Sequence, residues 1–347
     1  MTFSTHVQSM TDEKLIPKLV DTVLSSSPFA LTILGNQKSF VGTKMKFPVR
    51  TSQNDEGGSF DGMDKFSTTK VETQRVMEFS PTGYSKPVVL SNMELDVNAT
   101  EKGVLNHLQL ATAQTAQDMT DGLADIFYSF QSGKDFLGVY DAVDDGSTTA
   151  SYGGLARSTY TGIAGNVTAS SGALTLAKMR TMYNSCIHGS ASPDLLVTTK
   201  SLWSAYEALL EATVNRNAPT GGYPQVTRTG AVPGTQALKG QAGFDSLYFS
   251  GAPIVFDDKI DGGYMLFINR KYLAFYGLPS SQKDWKQVKF TSNELDSVYS
   301  DLPITTGFSW SGLMRPIDQY GQVGHLILMG ELISNSPRHL GLLTGLT

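Results

Sequence analysis

Asn98 to Gly133 reads NATEKGVLNHLQLATAQTAQDMTDGLADIFYSFQSG, and it decides how the rest of the chain is read. Val104, Leu108, Ala111, Thr115, Met119, Gly122, Ile126 and Phe130 recur at helical steps, with Leu105, Ala116, Leu123 and Phe127 beside them. That spacing puts one apolar stripe on an α-helix. Asn98 and Glu101 stand at the spacing of a reciprocal amino-terminal cap, and Ser132-Gly133 supplies a stop. The predicted helix, 99–131, is about 50 Å long at 1.5 Å per residue. A rod of this length is a scaffold, and function must come from what is attached to it.

Composition sets the bounds. A chain of 347 residues that is 40% hydrophobic has room for two or three domains. It contains no apolar run long enough to span a bilayer. The start, MTFSTHVQSMTDEKLIPK, has neither a signal-peptide nor a transit-peptide pattern, which predicts a cytosolic origin. Cys186 is the single cysteine, so an intramolecular disulfide and a cysteine metal cluster are excluded. A formal charge of -5 and the lack of any Lys/Arg run argue against a dedicated nucleic-acid or anionic-membrane surface.

Upstream of the helix, Leu15, Ile16, Leu19, Val20, Val23 and Leu24 form a short amphipathic pattern that Pro28 closes. Residues 1–41 therefore read as an arm, which either packs on its own domain or crosses onto a neighbour. From 42 to 80 the pattern is extended. TKMKFPVRT and TTKVETQRVMEF alternate around a polar, glycine-rich stretch from Ser52 to Gly62, which predicts a long hairpin. Its faces carry Lys44, Lys46, Arg50, Lys70, Glu72, Arg75 and Glu78, so neither offers the apolar area of an internal sheet. A two-stranded ribbon is marginal in water, so the hairpin is expected to project onto a partner surface.

Downstream of the helix, a Gly-, Ser- and Thr-rich stretch predicts a looped connection. Asp141, Asp144, Asp145 and Gly146 lack the alternating ligands and closing Glu of a calcium-binding EF-hand loop. Residues 174–289 read as one α/β domain. Leu176, Met179, Tyr183, Cys186 and Ile187 form a helical face, and Leu195-Leu196-Val197 a buried strand. A second helix buries Leu202, Tyr206, Leu209 and Leu210, an exposed loop follows from Asn215 to Gly243, and the strands SLYFS, PIVFD, YMLFIN and YLAFYG follow. The tail, with extended segments at Ile304–Met314 and Gln322–Ile333, completes an outer domain made of 81–173 and 290–347. HLILMGELIS is nearly continuous apolar and is expected beneath the long helix, paired with strands outside the middle domain.

Catalytic patterns are missing. The five histidines are scattered without zinc spacing, and Cys186 and His188 fall on different sides of a helix. There is no nucleophile elbow, phosphate-binding loop or dinucleotide fingerprint. Asp257, Asp258 and Asp261 read as a solvated turn. The sequence predicts neither an enzyme nor a cofactor.

The order of elements, an arm, a charged hairpin, a long helix, an inserted α/β domain and closing strands, resembles that of tailed-phage major capsid proteins of the Hong Kong 97 type. The local matches are Tyr152-Gly153-Gly154-Leu155-Ala156-Arg157, the strand and helix from Pro193 to Leu210, and GAPIVFDDKI followed by YMLFINRKYLAFYG. The resemblance implies an α+β fold: N-terminal arm, E-loop hairpin, peripheral domain with a spine helix, and inserted axial domain. It further implies a structural subunit of an icosahedral head, assembled in the host cytoplasm into hexamers and pentamers that enclose DNA without reading its sequence. Lys44, Lys46, Arg50, Lys65, Lys70, Glu72, Arg75 and Glu78 are then the candidate intersubunit contacts. About 40 residues precede the hairpin, which leads us to expect a separate scaffolding protein. A portal and a decoration protein are further expected partners; a membrane is not. Lys65 and Lys70 lie in the element that some members crosslink, but no spacing identifies an Asn partner. An encapsulin-like compartment and a phage tail or decoration module are the alternatives.

Overall fold

The computed structural model describes residues 27–97, 101–216, 247–278, 286–287, 308–311, 313–316 and 319–347. The expected helix between Thr11 and Leu24, the Asn98 cap, residues 304–307 and most of the loop from Asn215 to Gly243 lie outside them. In chain order come α1 (Pro28–Gly35), β1 (Lys38–Ser39), β2 (Met45–Arg50), β3 (Gln74–Phe79), β4 (Thr82–Ser91), α2 (Asn92–Val97) and α3 (Glu101–Phe127). Then follow α4 (Val139–Val143), β5 (Ser151–Tyr152), β6 (Leu155–Ala156), β7 (Asn166–Gly172), α5 (Leu176–Ser185), β8 (Leu195–Thr198) and α6 (Lys200–Arg216). The chain closes with β9 (Leu247–Phe249), β10 (Ala252–Phe256), β11 (Met265–Ile268), β12 (Leu273–Gly277), β13 (Lys286–Gln287), β14 (Phe308–Trp310), β15 (Gly321–Ser334) and β16 (Gly341–Leu346).

The long helix is α3, and it buries Met119, Leu123, Ala124 and Phe127 on one face. It stops at Phe127 rather than 131 because other acceptors claim the next donors. Ser129 N–H and Oγ both turn back to the Ile126 carbonyl, at 3.1 and 2.8 Å. The Gln131 N–H donates to the buried Asp141 carboxylate at 2.6 Å. Beneath α3 runs β15, as its apolar sequence predicts. It pairs antiparallel with β4 along 321–330, with β12 along 330–334 and with β14 along 326–328. Phe127, Phe136 and Phe275 close the layer between helix and sheet, with ring centroids 5.4–6.5 Å apart.

A second sheet has the order β7-β16-β11-β8-β10-β9. Successive residues of its central strands alternate between two cores. Leu195, Val197, Leu266 and Ile268 join the core beneath α3, whereas Leu196, Ile254, Met265 and Phe267 pack with Met179, Met182 and Tyr183 of α5 and Leu202 and Tyr206 of α6. The expected face of α5 holds except at Ile187, which is exposed, and Met182 takes its place inside.

Two strands leave the division expected from sequence. YLAFYG forms β12 in the first sheet, paired with β15, although it was read with the middle domain. The terminal strand β16, read with the outer domain, pairs with β11 and β7 in the second sheet. Each follows a short crossing between sheets, and at these crossings Tyr272 and His339 stack at 4.2 Å. Nothing in local periodicity distinguishes which of two buried sheets an apolar run enters. The connection after α3 is also more ordered than its composition suggests, since it contains α4, the β5–β6 hairpin and β7.

Glu331 lies on β15 opposite Tyr276, next to the Gly330–Thr82 pair where β4 begins. It is buried and accepts hydrogen bonds from the Leu137 N–H and, at 3.3 Å, from Thr82 Oγ1. Burial outweighs these donors and pushes its carboxyl up from 4.5 to about 7. Between those values the folded state keeps a proton that the unfolded state has lost, so stability is greatest at low pH in this window and falls as pH rises. The shift corresponds to roughly 3 kcal/mol. Urea unfolding at about pH 5 and about pH 8 is expected to show this loss, and Glu331→Gln is expected to flatten it.

Candidate assembly surface

The hairpin has two parts with different physics. At its foot, β2 and β3 form a continuous antiparallel ladder from Met45↔Phe79 to Arg50↔Gln74. Met45, Met77 and Phe79 are buried in the main core, so the foot is keyed into the chain's own core and does not project with both faces free, as the charge pattern had suggested. Phe47 packs edge-on against Phe79 and Tyr276, at 6.1 and 5.2 Å.

The key is the Tyr152-Gly153-Gly154-Leu155 turn. Gly153 and Gly154 have φ of +58° and +78°, as a tight two-residue hairpin requires. The Glu78 N–H donates to the Gly153 carbonyl at 2.9 Å, and Tyr152 packs against Phe79 at 5.0 Å. A Cβ on Gly153 would lie 2.7 Å from the Met77 Cβ. Arg157, fully buried, holds this turn from below. It donates to Asp144 Oδ2 and the Thr149 carbonyl, each at 3.2 Å, and to the Asp141 carbonyl at 2.5 Å, and lies over the Tyr152 ring at 5.0 Å. The carboxylates weighed as a calcium loop are thus occupied internally. Asp144 also accepts from the Gly146, Thr148 and Thr149 N–H groups, and Asp141 from Gln131, Gly138 and Thr149. Among the described residues no cluster of His, Cys, Asp or Glu could hold a metal ion, and no helix is long and apolar enough to cross a membrane.

Beyond Arg50 the chain leaves the ladder and residues 51–73 carry no regular strand. The tip is still locally organised. The Asp61 N–H donates to Asp64 Oδ2 at 2.9 Å, the Asp64 N–H returns to the Asp61 carbonyl at 3.3 Å, and Gly62 at φ +58° makes the turn. Across it Phe60 and Phe66 meet edge-on at 5.1 Å, yet they are 64% and 71% exposed, and Met63 beside them is fully exposed. Three large apolar side chains held in solvent are a feature that the sequence reading did not single out. Their signal was legible as SFDGMDKF, apolar residues at and just beyond the end of the stretch read as polar and glycine-rich.

The eight charged candidates divide. Lys44 and Lys46 both reach Glu78, at 3.1 and 3.0 Å, and their hydrogen bonds, that of Lys46 foremost, hold its carboxyl below the ordinary value. Arg75 pairs with Glu72 at 3.0 Å, and Arg50 Nε donates to the Ser52 carbonyl at 3.2 Å. These six are engaged within the chain, on exposed positions where solvent screening leaves little net stabilisation. Lys65 and Lys70 lie exposed in the tip and have no partner among the described residues.

No family model and no curated protein matches the sequence. Solved structures do. A chain of the cyanophage A-1(L) capsid asymmetric unit aligns with a TM-score of 0.70 at 13% identity, covering 99% of this chain and 100% of that one. This chain has a phage capsid fold. The capsid of the Myoviridae phage XM1 aligns at a TM-score of 0.55 and 11% identity, over 100% of this chain and 99% of that one. The SrpI encapsulin of Synechococcus elongatus PCC 7942 gives 0.55 at 10% identity, over 100% and 96%. At such identities the likeness establishes the capsid fold alone.

The keyed foot makes a direct prediction. Gly153→Val combines a disfavoured φ with a clash at Met77, and is expected to destabilise the chain by about 2–5 kcal/mol. Urea unfolding measures that loss, and limited proteolysis is expected to show the hairpin cut first.

Proposed function

We propose that this chain is the major capsid protein of a tailed double-stranded DNA phage, a structural subunit that assembles with copies of itself into hexamers and pentamers of an icosahedral head. The observation that carries this is the exposed Phe60, Met63 and Phe66 cluster on a hairpin whose foot is locked into the subunit core. An apolar tip held out on a braced ribbon is an assembly device, because it gains only when a second surface covers it.

The chain also offers a surface of the right kind. Met314, Val323 and Val89 occupy one row across adjacent strands of the first sheet, so their side chains share a face. Val88 and Leu90 point the other way into the core. Met314 and Val89 are exposed, and Arg315 and His325 stand close by in sequence. The tip carries Asp55, Glu56, Asp61 and Asp64 against Lys65 and Lys70. An acidic apolar tip thus fits this basic-edged apolar row on a second copy, in a head-to-tail contact that closes into rings. Lys65 and Lys70, free of partners among the described residues, are left to pair with acidic groups of a neighbouring copy, while Lys44, Lys46, Arg50, Glu72, Arg75 and Glu78 are engaged within the hairpin.

The mild acidity suits a container, since a strongly basic wall would bind packaged DNA at many phosphates and resist its release. On this reading the scaffolding, portal and decoration proteins are separate chains, and catalysis is no part of the role. An encapsulin-like shell is the second reading, favoured by the fold likeness to SrpI.

Electron microscopy and light scattering of the purified protein, alone and coexpressed with its neighbouring genes, test the assignment. Shells, tubes or ring-shaped capsomers are expected, and a strict monomer under every condition would overturn it. Enclosed DNA favours the phage head, and an enclosed enzyme the encapsulin-like reading. Replacing Phe60, Met63 and Phe66 together by Ser is expected to leave the subunit's unfolding midpoint unchanged while abolishing assembly.

A further inference from the structure

The turn that sequence reading left in solvent holds a buried junction. Asp257, which follows β10 in the second sheet, is buried. Its Oδ2 accepts from Ser27 Oγ at 2.5 Å, from Tyr128 Oη at 2.9 Å and from the Phe29 N–H at 3.4 Å, and its Oδ1 from the Lys259 N–H at 3.0 Å. These donors come from three parts of the chain: the start of α1, the residue after α3, and the turn itself. Ser27 Oγ also accepts from the Ala30 N–H at 3.2 Å as the cap of α1, and Phe29 packs on the Tyr128 ring at 5.0 Å.

The same turn holds α3 at further points and also reaches α4. Lys259 bonds Asp121 at 2.9 Å and Asp125 at 3.0 Å, one turn apart on α3, and the Asp261 N–H donates to Tyr140 Oη at 3.2 Å. The Lys259 ammonium is thereby committed to the helix. Among the described residues the bonds to Asp257 come from hydroxyl and N–H groups alone. A buried carboxylate held by neutral dipoles depends on each of them, because losing one leaves the site dry and the remainder must carry the charge.

We infer that Asp257 is a coupling latch: the seating of α1 at Ser27 and Phe29 and the grip of the 257–261 turn on the spine helix are one linked equilibrium. A force or partner that draws Ser27 and α1 away from the core then loosens the second sheet's hold on α3, and a change at that hold loosens α1. The coupling passes through one carboxylate and holds whatever the chain assembles into. The Lys259 bridges are a parallel attachment that touches neither Ser27 nor Phe29.

Hydrogen exchange on the full-length protein, read by peptide mass, tests this with Ser27→Ala and Tyr128→Phe. Ser27→Ala is expected to speed exchange several-fold in α1 and also in 254–262 and the last turn of α3, with 326–332 on β15 unchanged. Tyr128→Phe keeps the ring that packs on Phe29 and removes only the hydroxyl, so several-fold faster exchange in α1 reports transmission through Asp257. The double variant is expected to fall short of the product of the two single effects, since both remove donors from one acceptor. Effects of Ser27→Ala confined to α1, or of Tyr128→Phe confined to α3, would overturn the latch. If Ser27→Ala speeds exchange throughout the chain, the response of α1 to Tyr128→Phe alone decides between the same two outcomes.

Discussion

A two-stranded ribbon has too little apolar area to hold itself rigid in water, and the construction around this hairpin answers that constraint. Met45, Met77 and Phe79 sink into the main core, and the Gly153-Gly154 turn fits against them where a Cβ would collide. Arg157 then fixes that turn from inside, bonded to the Asp144 carboxylate and to carbonyls of α4 and the loop beyond it. The order of support runs inward, from exposed tip to ladder, from ladder to glycine turn, and from turn to a buried ion pair. A tip supported in this way can present Phe60, Met63 and Phe66 without collapsing onto its own subunit.

The buried charges are placed where elements from distant parts of the chain meet. Arg157 and Asp144 lie beneath the hairpin foot, Glu331 where β4, β12 and β15 meet, and Asp257 where α1, α3 and the second sheet converge. Apolar packing is tolerant of small slips, whereas a buried carboxylate with several short donors accepts one arrangement. In a fold whose sheets share a core, such fixed points define how the layers sit. They also make the fold responsive, since Glu331 changes its protonation near neutrality and Asp257 depends on donors from separate segments.

Much of the architecture was legible in local pattern. The helical spacing from Val104 to Phe127 gave α3, the alternation around Met45 and Met77 gave the hairpin, and HLILMGELIS gave the central strand of the first sheet. Periodicity carries these because it records which face of an element avoids water. It could not say that YLAFYG joins the first sheet or that Gly341–Leu346 joins the second, because both runs are apolar and either sheet would bury them. At the candidate site, charge and exposure single out different residues. Six of the eight charged residues satisfy each other or the backbone, while Phe60, Met63 and Phe66 look unremarkable in a polar stretch until their exposure is seen.

By itself the sequence determined the elements, their order, the single free cysteine and the want of catalytic patterns, since composition and periodicity are local properties. The tertiary structure decided which residues share a core and which turn braces the hairpin. It also turned Asp257 from a presumed solvated carboxylate into a junction. Those outcomes rest on contacts between residues as far apart as Ser27 and Asp257, 230 positions along the chain. Burial and hydrogen-bond partners at that separation are set by how layers pack, and no local pattern encodes them.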